Sequence, residues 1–178
     1  MNKINPFTVH TATLNDFDNI NQRLLEGLKE FIDDATTRKT HEFFGRYENI
    51  YIDTDKIPAL SIVIEAVKLF SADILSIPVD ELKAGLWFNV MAPGDKTTLH
   101  RHDDDDELLS AVYYVSTPGN SGQLHLQTGA IDTYVTPHAG TFVFFPPNMP
   151  HEVTENLSTE TRVSLGINIG PASQEEEG

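Results

Sequence analysis

Thr141-Phe142-Val143-Phe144-Phe145-Pro146-Pro147-Asn148-Met149-Pro150-His151 is the stretch on which the fold turns. Its first five residues form an apolar run of strand length, and the prolines that follow make a stiff turn. The same punctuation recurs on either side. After about Ile77, short apolar runs alternate with Pro, Gly, Asn and Asp, and segments 86–91, 109–115, 122–127, 133–136, 141–145, 151–154 and 162–169 all read as strands. His151 can reach back to the segment around position 100 only if the sheets carrying these strands close on each other. An antiparallel barrel or sandwich is expected.

Upstream the period changes. Between 16 and 32, Phe17, Ile20, Leu24, Leu28 and Phe31 recur at three- and four-residue intervals, which makes one face of a helix apolar. A second helix is expected over 58–70, with Pro58 in its first turn and Leu60, Ile64, Val67 and Phe70 as its buried stripe. Both helices need another layer to pack against, so the fold class is α+β and mainly β, with the helices at the N-terminal side. The intervening segment, 38–55, is expected to shape the mouth of the molecule with helices and loops. The chain has 178 residues, 39% of them hydrophobic, with ten Phe, five Tyr and one Trp. That suffices for one substantial core and not for two enzyme domains. A single domain over 1–170 is expected, its β core over about 80–170, followed by a disordered acidic tail at 171–178 with three consecutive Glu.

A formal charge of -15 repels phosphate backbones, and no Lys/Arg cluster interrupts it, so nucleic acid is an improbable partner. A small anion is still compatible, because one enclosed Arg creates a local positive site that total charge does not describe. No stretch approaches the ~20 apolar residues needed to span a bilayer, and the first residues lack the apolar core of a signal peptide. The expectation is a soluble cytoplasmic protein without membrane partners. Cysteine is absent, which removes disulfides, thiolate catalysis and Cys-based metal sites. His and carboxylate are left as metal ligands, a set suited to iron or manganese.

Such ligands are concentrated in Thr98-Leu99-His100-Arg101-His102-Asp103-Asp104. Residues i and i+2 of an extended strand share a face, so His102 and Asp104 can converge on one ion, and so can His100 and His102. A third ligand must come from elsewhere, and His151 is the candidate. Two His and one carboxylate on one face of an octahedral Fe(II) leave three positions open for co-substrate and O2. Arg162 stands eleven residues after His151, and its guanidinium fork suits a carboxylate. Ser164, on the same strand face, adds a hydroxyl donor.

These runs resemble a known family. Trp87-Phe88-Asn89-Val90-Met91-Ala92-Pro93-Gly94, the His102-Asp103-Asp104 HxD motif, Leu109-Ser110-Ala111-Val112-Tyr113-Tyr114-Val115 and Gly122-Gln123-Leu124 are similar to the core of the 2-oxoglutarate (2OG) and Fe(II)-dependent oxygenases of prolyl-hydroxylase type. The run 137–146, then His151-Glu152-Val153 and Arg162-Val163-Ser164, completes the likeness in order. It covers about 86–169 and implies a double-stranded β-helix, or jelly roll. By resemblance, His102, Asp104 and His151 are the iron ligands and catalytic centre. Arg162, aided by Ser164, holds the C5 carboxylate of 2OG. The implied activity is a dioxygenase that hydroxylates a C–H bond of a small molecule or protein side chain and releases succinate and CO2.

The departure from that pattern is His100, since His100-Arg101-His102 offers an HxH register as well. A second reading follows from it. Gly94, His100, His102 and Glu107 match the first cupin motif, and Gly140, Pro146, His151 and Asn156 approximate the second, which implies a cupin-type metal site of His100, His102, Glu107 and His151. Tyr114 and Asn148 stand where cupins expect Gly, and that reading gives Arg162 no role. His10, His41, His125 and His138 lack patterned context and read as structural or exposed. Asp103, Asp105 and Asp106 read as a solvated loop. The Phe142, Phe144 and Phe145 run reads as core. Tyr113 and Tyr114 face opposite ways, one to the core and one to the pocket, in an order the alternation leaves open.

Overall fold

The computed structural model describes residues 8–102 and 106–172. In chain order its elements are β1 (His10–Thr13), α1 (Phe17–Phe31), β2 (Arg38–Phe43), β3 (Arg46–Tyr51), α2 (Ala59–Leu75), β4 (Leu82–Met91), β5 (Leu109–Ser116), β6 (Leu124–Thr128), β7 (Ile131–Val135), β8 (Thr141–Phe145), β9 (His151–Val153) and β10 (Arg162–Pro171). A short 3-10 turn, Val79–Glu81, leads into β4.

Two antiparallel sheets form the β-helix. The larger has seven strands in the order β1-β8-β5-β10-β4-β3-β2, and the smaller has three in the order β7-β6-β9. Burial explains why the central strands read as unbroken apolar runs. On β5, Leu109, Ala111, Tyr113 and Val115 pack under the helices with Leu24, Leu60, Val63 and Val67. Tyr114 points the other way, into a second core between the sheets with Met91, Leu124, Leu126, Val143, Phe145, Met149 and Val153. A strand covered on both faces needs apolar residues at every position. The same division places Phe142 and Phe144 under the helices and Val143 and Phe145 between the sheets. The phenylalanine run is core, as expected.

Helix α1 lies within the anticipated 16–32, burying Ile20, Leu24 and Leu28. Helix α2 continues past position 70 to Leu75, because Val67, Ser71 and Leu75 keep the four-residue spacing on the buried face. It ends where Ser76 adopts a left-handed conformation, φ 54°, before Pro78. Segment 38–55 departs further from expectation. Instead of helices and loops it carries the hairpin β2–β3, turned by Phe44 and Gly45, whose φ values of 55° and 78° are both positive. A two-residue turn of that hand matches the right-handed twist of the flanking strands. The hairpin joins the large sheet through Ile50 opposite Phe88 of β4. At the other end β10 extends through Pro171, which pairs with Leu82. Residues 173–178 of the expected tail lie outside the described residues.

Candidate metal centre and co-substrate pocket

The segment after β4 runs antiparallel to β9. Thr97 N–H donates to Val153 O (3.1 Å), and Val153 N–H donates to Thr97 Oγ1 (2.7 Å). His100 and His151 exchange both backbone bonds, at 3.0 and 2.8 Å. Thr98 N–H is held by Glu48 Oε1 of β3 (3.1 Å), and His102 N–H by Pro147 O (2.8 Å). The stiff proline turn read from the sequence thus supports His102 on one side and delivers His151 on the other.

These restraints gather three imidazoles. His100, His102 and His151 offer ligand atoms that all lie within 4.8 Å of one another. Ring centroids are 4.3 Å apart for His100 and His151, 5.3 Å for His102 and His151, and 5.5 Å for His100 and His102. His102 Nδ1 faces Glu107 Oε2 at 2.8 Å and Oε1 at 3.0 Å, and Ser110 Oγ donates to Glu107 Oε1 at 2.7 Å. Burial, with His100 and then His102 beside it, holds His151 down to about 3, so its ring is neutral and available as a ligand.

A cavity of about 490 Å³ opens onto this cluster. Its wall includes Ser110 and Val112 of β5 and Ser164, Gly166 and Asn168 of β10, alternate residues on the inward faces of paired strands. The next inward residues on those rows are Tyr114, opposite Ser164, and Arg162. Both are fully buried. Arg162 Nη1 donates to Gly122 O (2.9 Å) and Ser121 O (3.3 Å). Among the described residues, Arg162 Nε and Nη2 and the Tyr114 hydroxyl have no hydrogen-bond partner. Burial lowers the pKa of Arg162 and pushes that of Tyr114 up to about 12, the latter against the pull of the adjacent guanidinium. The cavity therefore runs from the imidazoles to Ser164, and a cluster of unspent donors lies beyond it on the same rows.

His102 and His151 come together as the sequence indicated, and Arg162 and Ser164 share the inward face of β10. Asp104 lies outside the described residues. His100 joins the cluster. Of the open tyrosine pair, Tyr113 faces the helices and Tyr114 faces the core between the sheets, outside the cavity lining. The opposite wall of the cavity, unread in the sequence, comes from β2 and β3 through His41, Phe43, Glu48, Asn49 and Tyr51. The alternation in Tyr47-Glu48-Asn49-Ile50-Tyr51 was the available signal, since Glu48 and Ile50 are buried while the residues between them are more open. Trp87 completes that wall and lies flat over β10. A Cβ on Gly166 would stand 2.4 Å from its ring, so glycine is required there. His125 proves structural: its Nδ1 donates to Glu152 Oε1 (2.8 Å), and its ring stacks on Tyr134.

The chemistry of this donor set fits a divalent metal beside an anionic ligand: imidazoles at one end, a buried cation with unspent N–H groups at the other. The described helices include none long and apolar enough to cross a membrane. Residues 86–170 match the family model described as the 2OG-Fe(II) oxygenase superfamily. A search of curated protein sequences found no match. Among solved structures, a prolyl-4-hydroxylase from Pseudomonas putida is similar at 23% identity and TM-score 0.72, with 93% of each chain covered. An alpha-ketoglutarate-dependent carbocyclase of nogalamycin biosynthesis aligns at 13% identity and TM-score 0.71, covering 93% of this chain and 80% of that one. An epimerase of the same biosynthesis aligns at 11% and 0.72, covering 94% and 78%. At such identities the likeness is one of fold, and these folds carry different reactions. A chain whose strand-rich segment matches this model, and nearly all of which takes the same fold, is similar to the enzymes of the 2OG-Fe(II) oxygenase superfamily.

Proposed function

We propose that the protein is a 2OG- and Fe(II)-dependent dioxygenase that hydroxylates a C–H bond of a small molecule or protein side chain, with release of succinate and CO2. The observation that carries this reading is the buried Arg162 with Nε and Nη2 unspent beside the unpartnered Tyr114 hydroxyl. A guanidinium removed from water without an anion is costly, and the Nε/Nη2 edge is the fork that takes a carboxylate through two parallel hydrogen bonds. The C5 carboxylate of 2OG suits it, with Tyr114 as a further donor and the Ser164 hydroxyl along the path. His102 and His151 hold the metal in either register, with Asp104 or His100 as the third ligand. A bound Fe(II) with open positions supplies the oxidation itself by activating O2. The chain's part is to fix the co-substrate, keep bulk water from the apolar floor formed by Leu124, Phe145 and Val153, and admit the target past β2–β3. With a net charge of -15, steering favours a neutral or cationic target.

A cupin-type metal site is the second reading, favoured by the company of His100, His102, His151 and Glu107. Against it, Glu107 directs both oxygens at His102 Nδ1. The test is an anaerobic Fe(II) titration followed by 2OG, observing the weak visible metal-to-ligand charge-transfer band. The band should appear with 2OG and weaken in Arg162→Ala, and substrate-free turnover should yield succinate. Metal binding without the band, abolished by Glu107→Gln, would move the chain to the cupin reading.

A further inference from the structure

Resting on the oxygenase reading above, we propose that the target of the reaction carries a protonated amine, and that Glu48 receives it beside the ring of Trp87.

Glu48, on β3, lines the same cavity as His100, His102 and His151, yet is only 7% exposed. Among the described residues its carboxylate has one hydrogen-bond donor, Thr98 N–H on Oε1 at 3.1 Å, and no ion pair. A neutral Gln would accept that N–H as well, so the anchoring of Thr98 does not account for a charge. A carboxylate withdrawn from water is costly unless a cation with N–H groups meets it. Oε2 is the oxygen left to do so.

The rest of this wall points the same way. Asn168 Oδ1, on the β10 side of the cavity, is buried without a donor, so a second acceptor awaits an N–H group. Neighbouring polar groups are already engaged: Asn49 Nδ2 donates to the Tyr51 hydroxyl (3.1 Å), and Arg46 Nη1 donates to Asn89 Oδ1 (3.1 Å) and Val90 O (3.2 Å). Tyr51 and Trp87 stand together, with centroids 6.2 Å apart and planes tilted by 49°. A cation over such a ring is attracted by its negative face. The Arg38 guanidinium engages Tyr51 in this way, 4.0 Å from its centroid, and Trp87 offers a second ring on the cavity wall. A formal charge of -15 draws cations towards the molecule, and Glu48 gives that attraction a destination. A cavity of about 490 Å³ has room for a small amine or for one lysine side chain, which share the alkylammonium group.

Trp87 is the chain's one tryptophan, so intrinsic fluorescence reports on this wall alone. The full chain, without added metal or 2OG, is titrated with pentylammonium, with pentanol as its neutral isostere, and with Nα-acetyl-lysine-N-methylamide. Pentylammonium should bind at least about tenfold tighter than pentanol, as a hydrogen bond between charged groups requires. Glu48→Gln, which keeps an acceptor for Thr98, should bring the two affinities within about twofold of each other. Tighter binding of the lysine derivative than of pentylammonium would assign the ammonium to a protein side chain, and the reverse to a free amine. Equal affinity for amine and alcohol in the native chain, or no saturable response of Trp87, would overturn the inference. So would a preference that Glu48→Gln retains, because a variant that only loosened the segment weakens both probes alike. The readout needs neither iron nor turnover. An amine preference carried by Glu48 without a 2OG band would keep the subsite and lose the proposed function, and the band without the preference would do the opposite.

Discussion

Tyr113 and Tyr114 are neighbours in sequence and opposites in environment. The Tyr113 hydroxyl donates to Asn21 Oδ1 at 2.6 Å, a buried bond that ties β5 to α1. Removing it strands an amide oxygen away from water, so Tyr113→Phe should cost about 1–3 kcal/mol of stability and leave 2OG binding unchanged. The Tyr114 hydroxyl has no partner among the described residues. Tyr114→Phe should therefore move the metal-free stability by less than about 0.5 kcal/mol. In the proposed reading it should weaken 2OG binding by about tenfold, the worth of one hydrogen bond to a charged group. Urea denaturation and 2OG titration into Mn(II)-loaded protein separate the two effects. The opposite pattern, a stability loss in Tyr114→Phe with intact 2OG affinity, would make Tyr114 a structural residue.

Hairpin β2–β3 shows how an element can escape the sequence. Strand β2, Arg38-Lys39-Thr40-His41-Glu42-Phe43, is an edge strand with little apolar content, and its pairing is paid for by the neighbouring β3 rather than by burial of its own. Its turn is costly as well. Phe44 is 81% exposed and holds φ 55°, a left-handed conformation that costs an L-residue about 1–2 kcal/mol and that Asn tolerates better. Phe44→Asn should stabilise the protein by about 0.5–1 kcal/mol in chemical denaturation; a loss of stability would mean that the contact of its ring with Lys96 Nζ, 5.7 Å from the centroid, outweighs the backbone strain. By contrast β8 was legible residue for residue, because a doubly buried strand is apolar throughout and Gly140 and Pro146 bound it. The site was legible in part for similar reasons. His151 follows a distinctive turn and Arg162 a fixed interval later, but two-residue spacing fits His100 with His102 as well as His102 with Asp104. The backbone bridge from His100 to His151 is a contact between segments distant in sequence and invisible to local pattern, while Asp104 lies outside the described residues.

At the scale of the whole molecule, the three imidazoles join two layers that are otherwise separate sheets. His100 and His102 belong to the segment leaving β4 of the seven-stranded sheet, and His151 opens β9 of the three-stranded one. In the proposed reading an ion held at this cluster binds only when the sheets face each other, so its binding energy adds to folding energy. At a free Co(II) concentration 100 times its dissociation constant the gain is about 2.7 kcal/mol. For a chain of this size that should raise Tm by about 5–10 °C in scanning calorimetry. A second source of stabilisation must be separated from the first. A net charge of -15 attracts divalent cations diffusely and relieves self-repulsion, which also raises Tm. Diffuse attraction is screened within about 8 Å at physiological salt and fades further as salt rises, whereas coordination bonds to imidazole nitrogens do not depend on screening. The shift should therefore persist between 0.15 M and 0.5 M salt (concentrations of roughly this order bracket the screening regime) and vanish in His102→Ala. A shift that His102→Ala retains, and that salt abolishes, would assign the effect to the acidic surface and leave the two sheets without a metal bond between them.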